Sequence, residues 1–390
     1  MMFDRSLAPY ASNWRESRGR LWPEAESSER TSYMRDRDRI VHSGAFRRLK
    51  YKTQVFVYHE GDHYRTRLTH TIEVAQISRT IARRLGLDED LAEALALAHD
   101  VGHPPFGHAG ESVLNECLAP HGGFDHNVQT LKQLTLLEKR YMDFDGLNLS
   151  WECLEGLVKH NGPFNKKDKI PEYLNEFNNI FDLDLFRYSS LEAQVAAIAD
   201  DIAYDNHDID DALRAGLLDI DDIRHLPFFG SVIAEVHDTH HDRSRERVIF
   251  EGVRRLIGGM VDDVVETSRA RIANAAVAHC DDVRAHGLPL VAFSDHLREH
   301  DRILKSFMFD NVYRHWRINR STSKAKRVVR DLFDIYTAEP NILPDEWRNL
   351  AEHVDEKSRA IAVADFIAGM TDRFAMIEHR RLFDLSEGHR

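Results

Sequence analysis

Cysteine is scarce in this chain, which has only Cys117, Cys153 and Cys280 in its 390 residues. Three scattered thiols are too few for a disulfide framework or a cysteine-rich zinc site, so we expect reduced thiols and a cytoplasmic location. Apolar runs of membrane-spanning length are also missing, which predicts a protein with no membrane partner. The N-terminal residues are polar and carry both signs of charge, a composition unlike that of a signal peptide.

An excess of positive charge is missing as well. Lys and Arg total 52 against 65 Asp and Glu, which gives a formal net charge of -13. This balance argues against a protein that wraps nucleic acid by charge alone, because phosphate contacts require basic surface. A phosphorylated substrate is still allowed, since binding depends on the local field and short basic patches occur at 47–52 and 65–67.

Helical periodicity dominates the patterns that are present. Apolar side chains recur at helical spacing from Thr69 to Leu85, and Gly86 is the predicted C-cap. Asp88 is then the predicted N-cap of the next helix. Alternating strand patterns are rare, and only Val55–Tyr58 is predicted as a short strand or hairpin. The predicted fold class is therefore all-α.

A later stretch carries two further helical signals. Ser189 and Glu192 have the spacing of a capping box. Asp200, Tyr204 and Asp208 follow at intervals of four residues, which places them on one face of the same helix. This helix is therefore predicted to present two carboxylates and a phenol in a row.

Composition divides the chain into four parts. We expect a loosely held N-terminal arm at 1–30, a helical core at 31–220, a helical continuation at 221–291 and a smaller C-terminal helical domain at 292–390. The stretch at 161–179, rich in Lys, Asn and Pro, is predicted to be a surface insertion.

The densest chemistry lies in the run HDVGHPPFGHAGE, from His99 to Glu111, which holds three histidines and two carboxylates. An adjacent His-Asp pair supplies one imidazole nitrogen and one carboxylate, both metal ligands. The glycines and prolines end the preceding helix and force a shaped loop. Taken alone, the dipeptide is a weak signal and more often marks a helix end that carries a surface histidine.

Two more residues strengthen the metal hypothesis. His70 lies upstream of the pair His99-Asp100, and Asp200 lies downstream of it. The order His, His-Asp, Asp resembles the signature of the HD phosphohydrolase superfamily. Two imidazoles and two carboxylates suit Mn, Fe, Co, Ni or Zn, and the carboxylates also tolerate Mg. A bound divalent cation can polarise a phosphoryl oxygen and lower the pKa of water.

Several motifs sharpen the resemblance. HDVGHPPFGHAGE, FDHN at Phe124–Asn127, ADDIAYDNHD at Ala199–Asp208 and DFIAGMTDRFA at Asp365–Ala375 resemble the bacterial deoxyguanosine triphosphate triphosphohydrolases. The similarity runs from about residue 30 to about residue 383 and extends more weakly to an animal dNTPase with a sterile-alpha-motif domain. It implies an all-α HD-domain core, with its motifs at about 65–210, and a smaller phosphohydrolase-associated C-terminal helical domain.

The resemblance also implies an activity. The expected reaction is the metal-dependent conversion of a dNTP and water into a deoxynucleoside and inorganic triphosphate. The expected assembly is a homo-oligomer, for which the relatives suggest a ring-like hexamer, with a nucleotide or single-stranded DNA as an effector. Contacts to the base do not carry over, so a preference for dGTP is not implied.

Catalytic roles follow for one group of residues. Glu111 comes three residues after His108, so a helix beginning there places both on one side. A carboxylate beside an imidazole holds its tautomer and raises its proton affinity, which suits His108 as a general acid. The resemblance implies the same pair, and it implies that His126 and His103 neutralise phosphate charge.

Substrate contacts rest on the resemblance alone. It implies that Arg67 contacts phosphate and that Gln54 and Asp208 bind the 3′-hydroxyl of the sugar. Tyr204 is implied to pack on the sugar ring and to leave no room for a 2′-hydroxyl.

Two other functions compete with this one. The first is an HD enzyme of different specificity, such as a nucleotidase or a cyclic-nucleotide phosphodiesterase. The second is a nucleotide- or single-strand-binding regulator whose metal is structural. The set His108, Glu111 and His126 argues against the regulator, because a structural metal site needs only its four ligands.

Overall fold

The computed structural model describes residues 7–54, 65–166, 169–240 and 243–385, and helices dominate these ranges. The predicted all-α class is confirmed, and the only β features described are isolated bridges at Arg20–Ser150 and Thr53–Thr66. The predicted strand at Val55–Tyr58 lies outside the described residues. None of the described helices combines the length and the apolar content needed to cross a bilayer.

The helices of the first half are α1 (Ser32–Val41), α2 (Gly44–Arg48), α3 (Arg67–Leu85), α4 (Glu89–Ala98), α5 (His108–Cys117), α6 (His126–Lys132), α7 (Trp151–Val158), α8 (Glu172–Ile180) and α9 (Leu191–Arg214). The second half contains α10 (Ile220–Ile223), α11 (Phe229–Thr239), α12 (Arg245–Ala275), α13 (Cys280–Ala285), α14 (Asp295–Met308), α15 (Trp316–Ala338), α16 (Asp345–Ala351), α17 (Glu356–Ala368) and α18 (Asp372–Phe383). Short 3₁₀ and π turns connect several of them, including Phe309–Tyr313 between α14 and α15.

Local signals set the ends of the helices that matter most for the site. Gly86 ends α3 in the left-handed region at a φ of 73°, and the Asp88 side chain accepts from two backbone N–H groups at the start of α4. Both predicted caps are confirmed. The predicted capping box at Ser189 and Glu192 is wrong, because Ser190 caps α9 and Glu192 instead accepts from Ser12.

Two hydrophobic cores organise the helices. The first core is built around α3, α4 and α9, which pack against one another and against α1, α7 and α12. The second, smaller core joins α5 to α15, α17 and α18. The loop between α4 and α5 therefore connects the two cores, and it contains Gly102, Pro104, Pro105 and Gly107 of the HDVGHPPFGHAGE run.

The C-terminal helices hold this loop in place. The carboxylate of Asp372, at the start of α18, accepts from the backbone N–H of Phe106 and from that of Thr53, at 2.8 and 2.9 Å. The buried amino group of Lys52 donates to the carbonyls of His103 and Ala368. The contacts of Asp372 with Thr53 and of Lys52 with Ala368 cross between the cores, and the other two contacts attach the loop to them, so the geometry of the loop depends on both cores.

Two segments are packed more firmly than their composition predicts. In the N-terminal arm, Ser12 is buried against Glu192, and Arg20 forms an ion pair with the buried Asp36. In the predicted insertion at 161–179, α8 places the buried Leu174 in the first core. Both stretches look polar in sequence because only a few of their side chains face inward.

Candidate active site

Three helices bring the four predicted metal ligands together. His70 lies at the start of α3, His99 and Asp100 follow the last turn of α4, and Asp200 lies within α9. These helices form the centre of the first core, so their apolar faces fix where the polar residues meet. His70 is fully buried, and His99 and Asp100 are only 6% and 4% exposed.

The donor atoms of these residues are close to one another. Ligand atoms of His70, His99 and Asp100 all lie within 4.8 Å of each other. Oδ1 of Asp200 lies 2.8 Å from Nε2 of His70 and 3.5 Å from Nε2 of His99. A second oxygen, Oδ1 of Asp100, lies 3.5 Å from Nε2 of His99. The structure thus brings all four predicted ligands into one cluster, which we call the metal cluster.

The chemistry of this cluster fits a divalent cation. Nδ1 of His99 lies 2.7 Å from the carbonyl oxygen of Ala96, so it donates there and leaves Nε2 with a lone pair. Nε2 of His99 is buried and has no hydrogen-bond partner in the described structure. Burial disfavours the charged imidazole, but the carboxylates of Asp100 and Asp200 outweigh it and raise the pKa of His99 to about 9. A bound cation would replace that proton.

Other side chains surround the metal cluster. Nε2 of His160 lies 3.3 Å from Oδ2 of Asp200, and its ring stacks on that of His99 at 5.4 Å. Nδ1 of His70 lies 3.1 Å from Nδ1 of His207, whose Nε2 lies 2.8 Å from Oε2 of Glu73. None of these three outer side chains is among the predicted site residues.

A second cluster lies at the start of α5, and we call it the acid–base cluster. Glu111 accepts from two imidazoles, with Nδ1 of His108 at 3.0 Å and Nδ1 of His126 at 2.7 Å. Burial opposes ionisation of Glu111, but these two hydrogen bonds outweigh it and hold the pKa of its carboxyl well below its usual range. The side chain of His108 is 65% exposed. A substrate arriving from solvent can therefore reach its free Nε2.

His103 connects the two clusters. Its Nε2 lies 3.3 Å from Oδ1 of Asp100, and its ring stacks on His126 with the centroids 3.9 Å apart. Burial, followed by the charge of Arg67, holds the pKa of His103 well below its usual value. A His103 that is neutral would act on phosphate as a hydrogen-bonding group instead of a positive charge.

The structure places Arg67 against a metal ligand. Its NH1 lies 2.8 Å from Oδ2 of Asp100, and its side chain is 2% exposed. Its Nε and the side-chain oxygen of the buried Gln54 have no hydrogen-bond partner in the described structure. Both predicted substrate residues thus keep an unsatisfied buried polar atom, which is costly unless a ligand satisfies it.

The predicted sugar face on α9 has one additional member. The hydroxyl of Tyr313, in the π turn after α14, donates to the buried carboxylate of Asp208 and lies 3.4 Å from the hydroxyl of Tyr204. Burial raises the pKa of Asp208 to about 8, with a smaller contribution from the charge of Asp211. Tyr313 therefore occupies the hydrogen-bonding position that the resemblance assigns to a sugar hydroxyl.

Sequence reasoning could have found some of the missed residues. His207 lies seven residues after Asp200, a spacing that places both on nearly the same face of α9. Glu73 lies three residues after His70 in α3, which is also a helical neighbour position. His160 and Tyr313 carry no such local signal, because they reach the site only through the tertiary fold.

Comparison with known families supports this reading of the chain. Residues 67–205 match the HD domain, and residues 291–381 match the phosphohydrolase-associated domain. The first match begins at α3 and includes the metal cluster, the acid–base cluster and Tyr204. The second includes α15, α17 and α18, whose apolar side chains form most of the second core.

Curated relatives resemble nearly the whole chain. A deoxyguanosinetriphosphate triphosphohydrolase-like protein of Parvibaculum lavamentivorans is 56% identical over 386 residues, which is 98% of this chain and 98% of the relative. Proteins described in the same words from Caulobacter sp. (strain K31) and Brucella anthropi are 52% and 55% identical, over 97% of this chain and 96% of each relative.

Proposed function

The chain belongs to the family of deoxyguanosinetriphosphate triphosphohydrolase-like proteins, and from this premise we propose that it is a metal-dependent dNTP triphosphohydrolase. Membership in this family, together with the HD-domain match, makes the protein an HD-domain phosphohydrolase. The proposal adds the substrate and the bond that is broken. Water attacks the α-phosphorus of a dNTP, the bond to the 5′-oxygen breaks, and a deoxynucleoside and inorganic triphosphate leave.

We assign the cation to His70, His99, Asp100 and Asp200. When bound, a divalent cation polarises the phosphoryl group and activates water. The structure supports this assignment in two ways. Nε2 of His99 has no hydrogen-bond partner among the described residues, and two carboxylates accumulate beside two imidazoles. Arg67 already pairs with Asp100, but Asp200 faces imidazoles instead of a permanent cation, so a bound cation would balance its charge.

The acid–base cluster supplies the proton that the reaction needs. A 5′-alkoxide is a poor leaving group, and a proton on its oxygen removes that difficulty. Glu111 accepts from Nδ1 of His108 and so favours the imidazolium, whose exposed Nε2–H is the donor. His126 shares Glu111, and its imidazolium, like His103, could donate to the phosphate oxygens.

The observation that carries the proposal is the position of His103. It contacts Asp100 of the metal cluster and stacks on His126 of the acid–base cluster. The cation ligands and the proton donor are therefore close enough to act on one phosphoryl group. A regulator with a structural metal would not need a Glu-oriented, solvent-exposed imidazole beside its ligands.

The sugar face supports a deoxynucleotide. Tyr204 and Asp208 lie on the helix that also carries Asp200, so a substrate whose α-phosphate meets the metal cluster lays its sugar along α9. Packing of the sugar on Tyr204 leaves no room for a 2′-hydroxyl, while Asp208 and Gln54 bind the 3′-hydroxyl. The hydrogen bond between Tyr313 and Asp208 would then break, and the 3′-hydroxyl of the substrate would take the place of Tyr313.

Product analysis tests the proposal. Protein loaded with Mn²⁺ is incubated separately with each dNTP and each NTP, and the products are identified by mass spectrometry. We expect intact triphosphate and a deoxynucleoside, with little turnover of the ribonucleotides. Release of single phosphates would favour the nucleotidase, and nucleotide binding without any turnover would favour the regulator. The same panel reports the preferred base, including any preference for dGTP.

We also infer a cytoplasmic homo-oligomer with an anionic effector. All three cysteines are free, which suits a reducing compartment.

A groove beside α3 exposes apolar side chains, among them Ile72 at 51%, which supports contact with another copy. From Arg314 to Arg330 the chain carries seven Lys and Arg and no carboxylate, which supports a nucleotide or single-stranded DNA effector. Mass photometry with and without these effectors tests both inferences, and a hexamer is expected.

A further inference from the structure

Three hydrogen-bonded side chains, two of them buried, continue outward from the metal cluster. Nδ1 of His70 lies 3.1 Å from Nδ1 of His207, and Nε2 of His207 lies 2.8 Å from Oε2 of Glu73. His70 and His207 are 0% and 2% exposed, so water does not compete for the bond between the two imidazoles. The contacts join α3 to α9, the two helices that carry His70 and Asp200.

If both imidazoles are neutral, the hydrogen bonds among these three side chains have only one possible set of donors and acceptors. A carboxylate only accepts, so the contact with Glu73 places the hydrogen of His207 on its Nε2. Nδ1 of His207 then has a lone pair and accepts from Nδ1–H of His70. The remaining nitrogen of His70, Nε2, is left with a lone pair directed at the metal cluster, 2.8 Å from Oδ1 of Asp200.

Glu73 is itself held in place. Nε of Arg65 lies 3.1 Å from the same Oε2 that faces His207. Arg65 also contacts Asp210 and Asp211 at 2.7 and 2.8 Å, so it is anchored to α9 independently of Glu73. This ion pair keeps a carboxylate that is partly exposed in the orientation that His207 requires.

We propose that Glu73 and His207 form a relay that fixes His70 in the tautomer and orientation required to bind a divalent cation. The proposal rests on the proposed function only in assigning a cation to the metal cluster. Both residues are positioning residues, since they act through His70. Carboxylate–histidine–metal triads are common around metal ligands. Here a second imidazole is inserted between the carboxylate and the ligand.

Cation binding without nucleotide tests the relay. Metal-free protein is titrated with Mn²⁺, and the dissociation constant is measured by electron paramagnetic resonance. His207→Phe keeps a planar ring but removes both hydrogen bonds, and we expect the dissociation constant to rise about 10–100-fold, the usual effect of losing an outer-shell partner. His207→Gln offers an accepting oxygen and a donating amide at similar spacing, so it should restore most of the affinity.

A matched pair of variants tests the outer end of the relay. Glu73→Gln removes the negative charge at the end of the relay and should raise the dissociation constant about 10-fold. Asp211→Asn weakens the same Arg65 anchor but leaves the relay intact, and its affinity should equal that of the parent. Loss of affinity in both would assign the effect to the Arg65 anchor and overturn the relay.

The remaining outcomes are equally decisive. Equal affinity of His207→Phe and the parent, with unchanged thermal unfolding of the metal-free proteins, would overturn the relay but leave the proposed reaction standing. If His207→Phe does not fold, the Glu73→Gln and Asp211→Asn pair decides. A parent that binds no Mn²⁺ would overturn the metal cluster of the proposed function, and the relay with it.

Discussion

The metal cluster and the acid–base cluster are built from the same residue types but differ in their access to water. His70, His99 and Asp100 are at most 6% exposed, whereas the side chain of His108 is 65% exposed. In the first cluster, two carboxylates lie among several imidazoles, and of the four ligands Asp200 alone, at 26% exposure, keeps partial access to water. In the second, Glu111 accepts from the exposed His108 and from the partly buried His126.

This difference separates ligands from a proton donor. A cation gains most from donors that are already dehydrated and held in place, because no reorganisation remains to oppose binding. A general acid must instead touch the leaving oxygen of an incoming substrate. One loop serves both needs, because His99 and Asp100 follow α4 inside the core, whereas the side chain of His108, at the start of α5, is exposed.

The largest effect is expected in the metal cluster, where substitutions of two neighbouring aspartates can be compared. Asp200→Asn removes a carboxylate that contacts His70 and His99, so metal retention and turnover should both be lost. Asp201→Asn makes the same chemical change one residue along α9, where the side chain is half exposed and pairs with Lys305. Metal content measured by plasma mass spectrometry should fall only in Asp200→Asn. Full metal content in that variant would contradict the ligand assignment.

The next largest effect belongs to the exposed cluster. His108→Ala should keep its metal and its nucleotide affinity but lose about 10²–10⁴-fold in turnover, as general acids do. Glu111→Gln should lose less, because the glutamine still accepts from His108 and preserves its orientation. Turnover and metal content are measured on the same preparations. Loss of metal from His108→Ala would make His108 a ligand and erase the distinction between the clusters.

Much of the site was predictable because it lies on helices with strong local signals. Gly86 and Asp88 fix the ends of α3 and α4, so His70 and His99 could be placed on helices before the fold was known. The spacing of Asp200 and Asp208 likewise follows from α9 alone. Local sequence thus predicts the frame of the first core, including the helices that carry the metal cluster.

Glu73 and His207 share helix faces with predicted ligands, but the contacts that the missed residues make join distant parts of the chain. The contact of His207 with His70 spans 137 residues, and that of Tyr313 with Asp208 spans 105. Such pairs depend on how helices pack, which the periodicity of a single helix does not specify. The capping box failed for a related reason, since Glu192 forms its hydrogen bonds with the distant Ser12 instead of its own helix.

A smaller effect, on the preference for deoxynucleotides, is expected at the sugar face. Tyr204 is mostly buried, and its hydroxyl is close to that of Tyr313. Tyr204→Ala opens space beside the sugar, so GTP should be hydrolysed faster. We expect the ratio of dGTP to GTP hydrolysis to fall about 10-fold, which is typical when a steric exclusion is removed. Tyr313→Phe removes only a hydroxyl and should change this ratio less. Equal rates of the parent on both nucleotides would contradict the sugar gate.

The smallest effect concerns stability and compares two buried carboxylates. Burial opposes ionisation of both Asp100 and Asp208, but Arg67 and neighbouring imidazoles hold the pKa of Asp100 below its usual range, whereas burial raises that of Asp208 to about 8. Between the unfolded pKa of about 3.9 and this value, the folded state keeps a proton that the unfolded state has lost. Folding stability of the parent therefore falls as pH rises through this window.

Asp208→Asn removes this dependence, because the amide does not titrate but can still accept from Tyr313. Relative to the parent, its free energy of unfolding should increase by about 1–3 kcal/mol between pH 5 and pH 8. Urea unfolding of metal-free protein at several pH values measures this difference. Asp221→Asn, which changes a side chain that is 86% exposed, should track the parent more closely. Parallel pH profiles for Asp208→Asn and the parent would show that Asp208 is ionised, and that burial alone does not distinguish it from the ligands of the metal cluster.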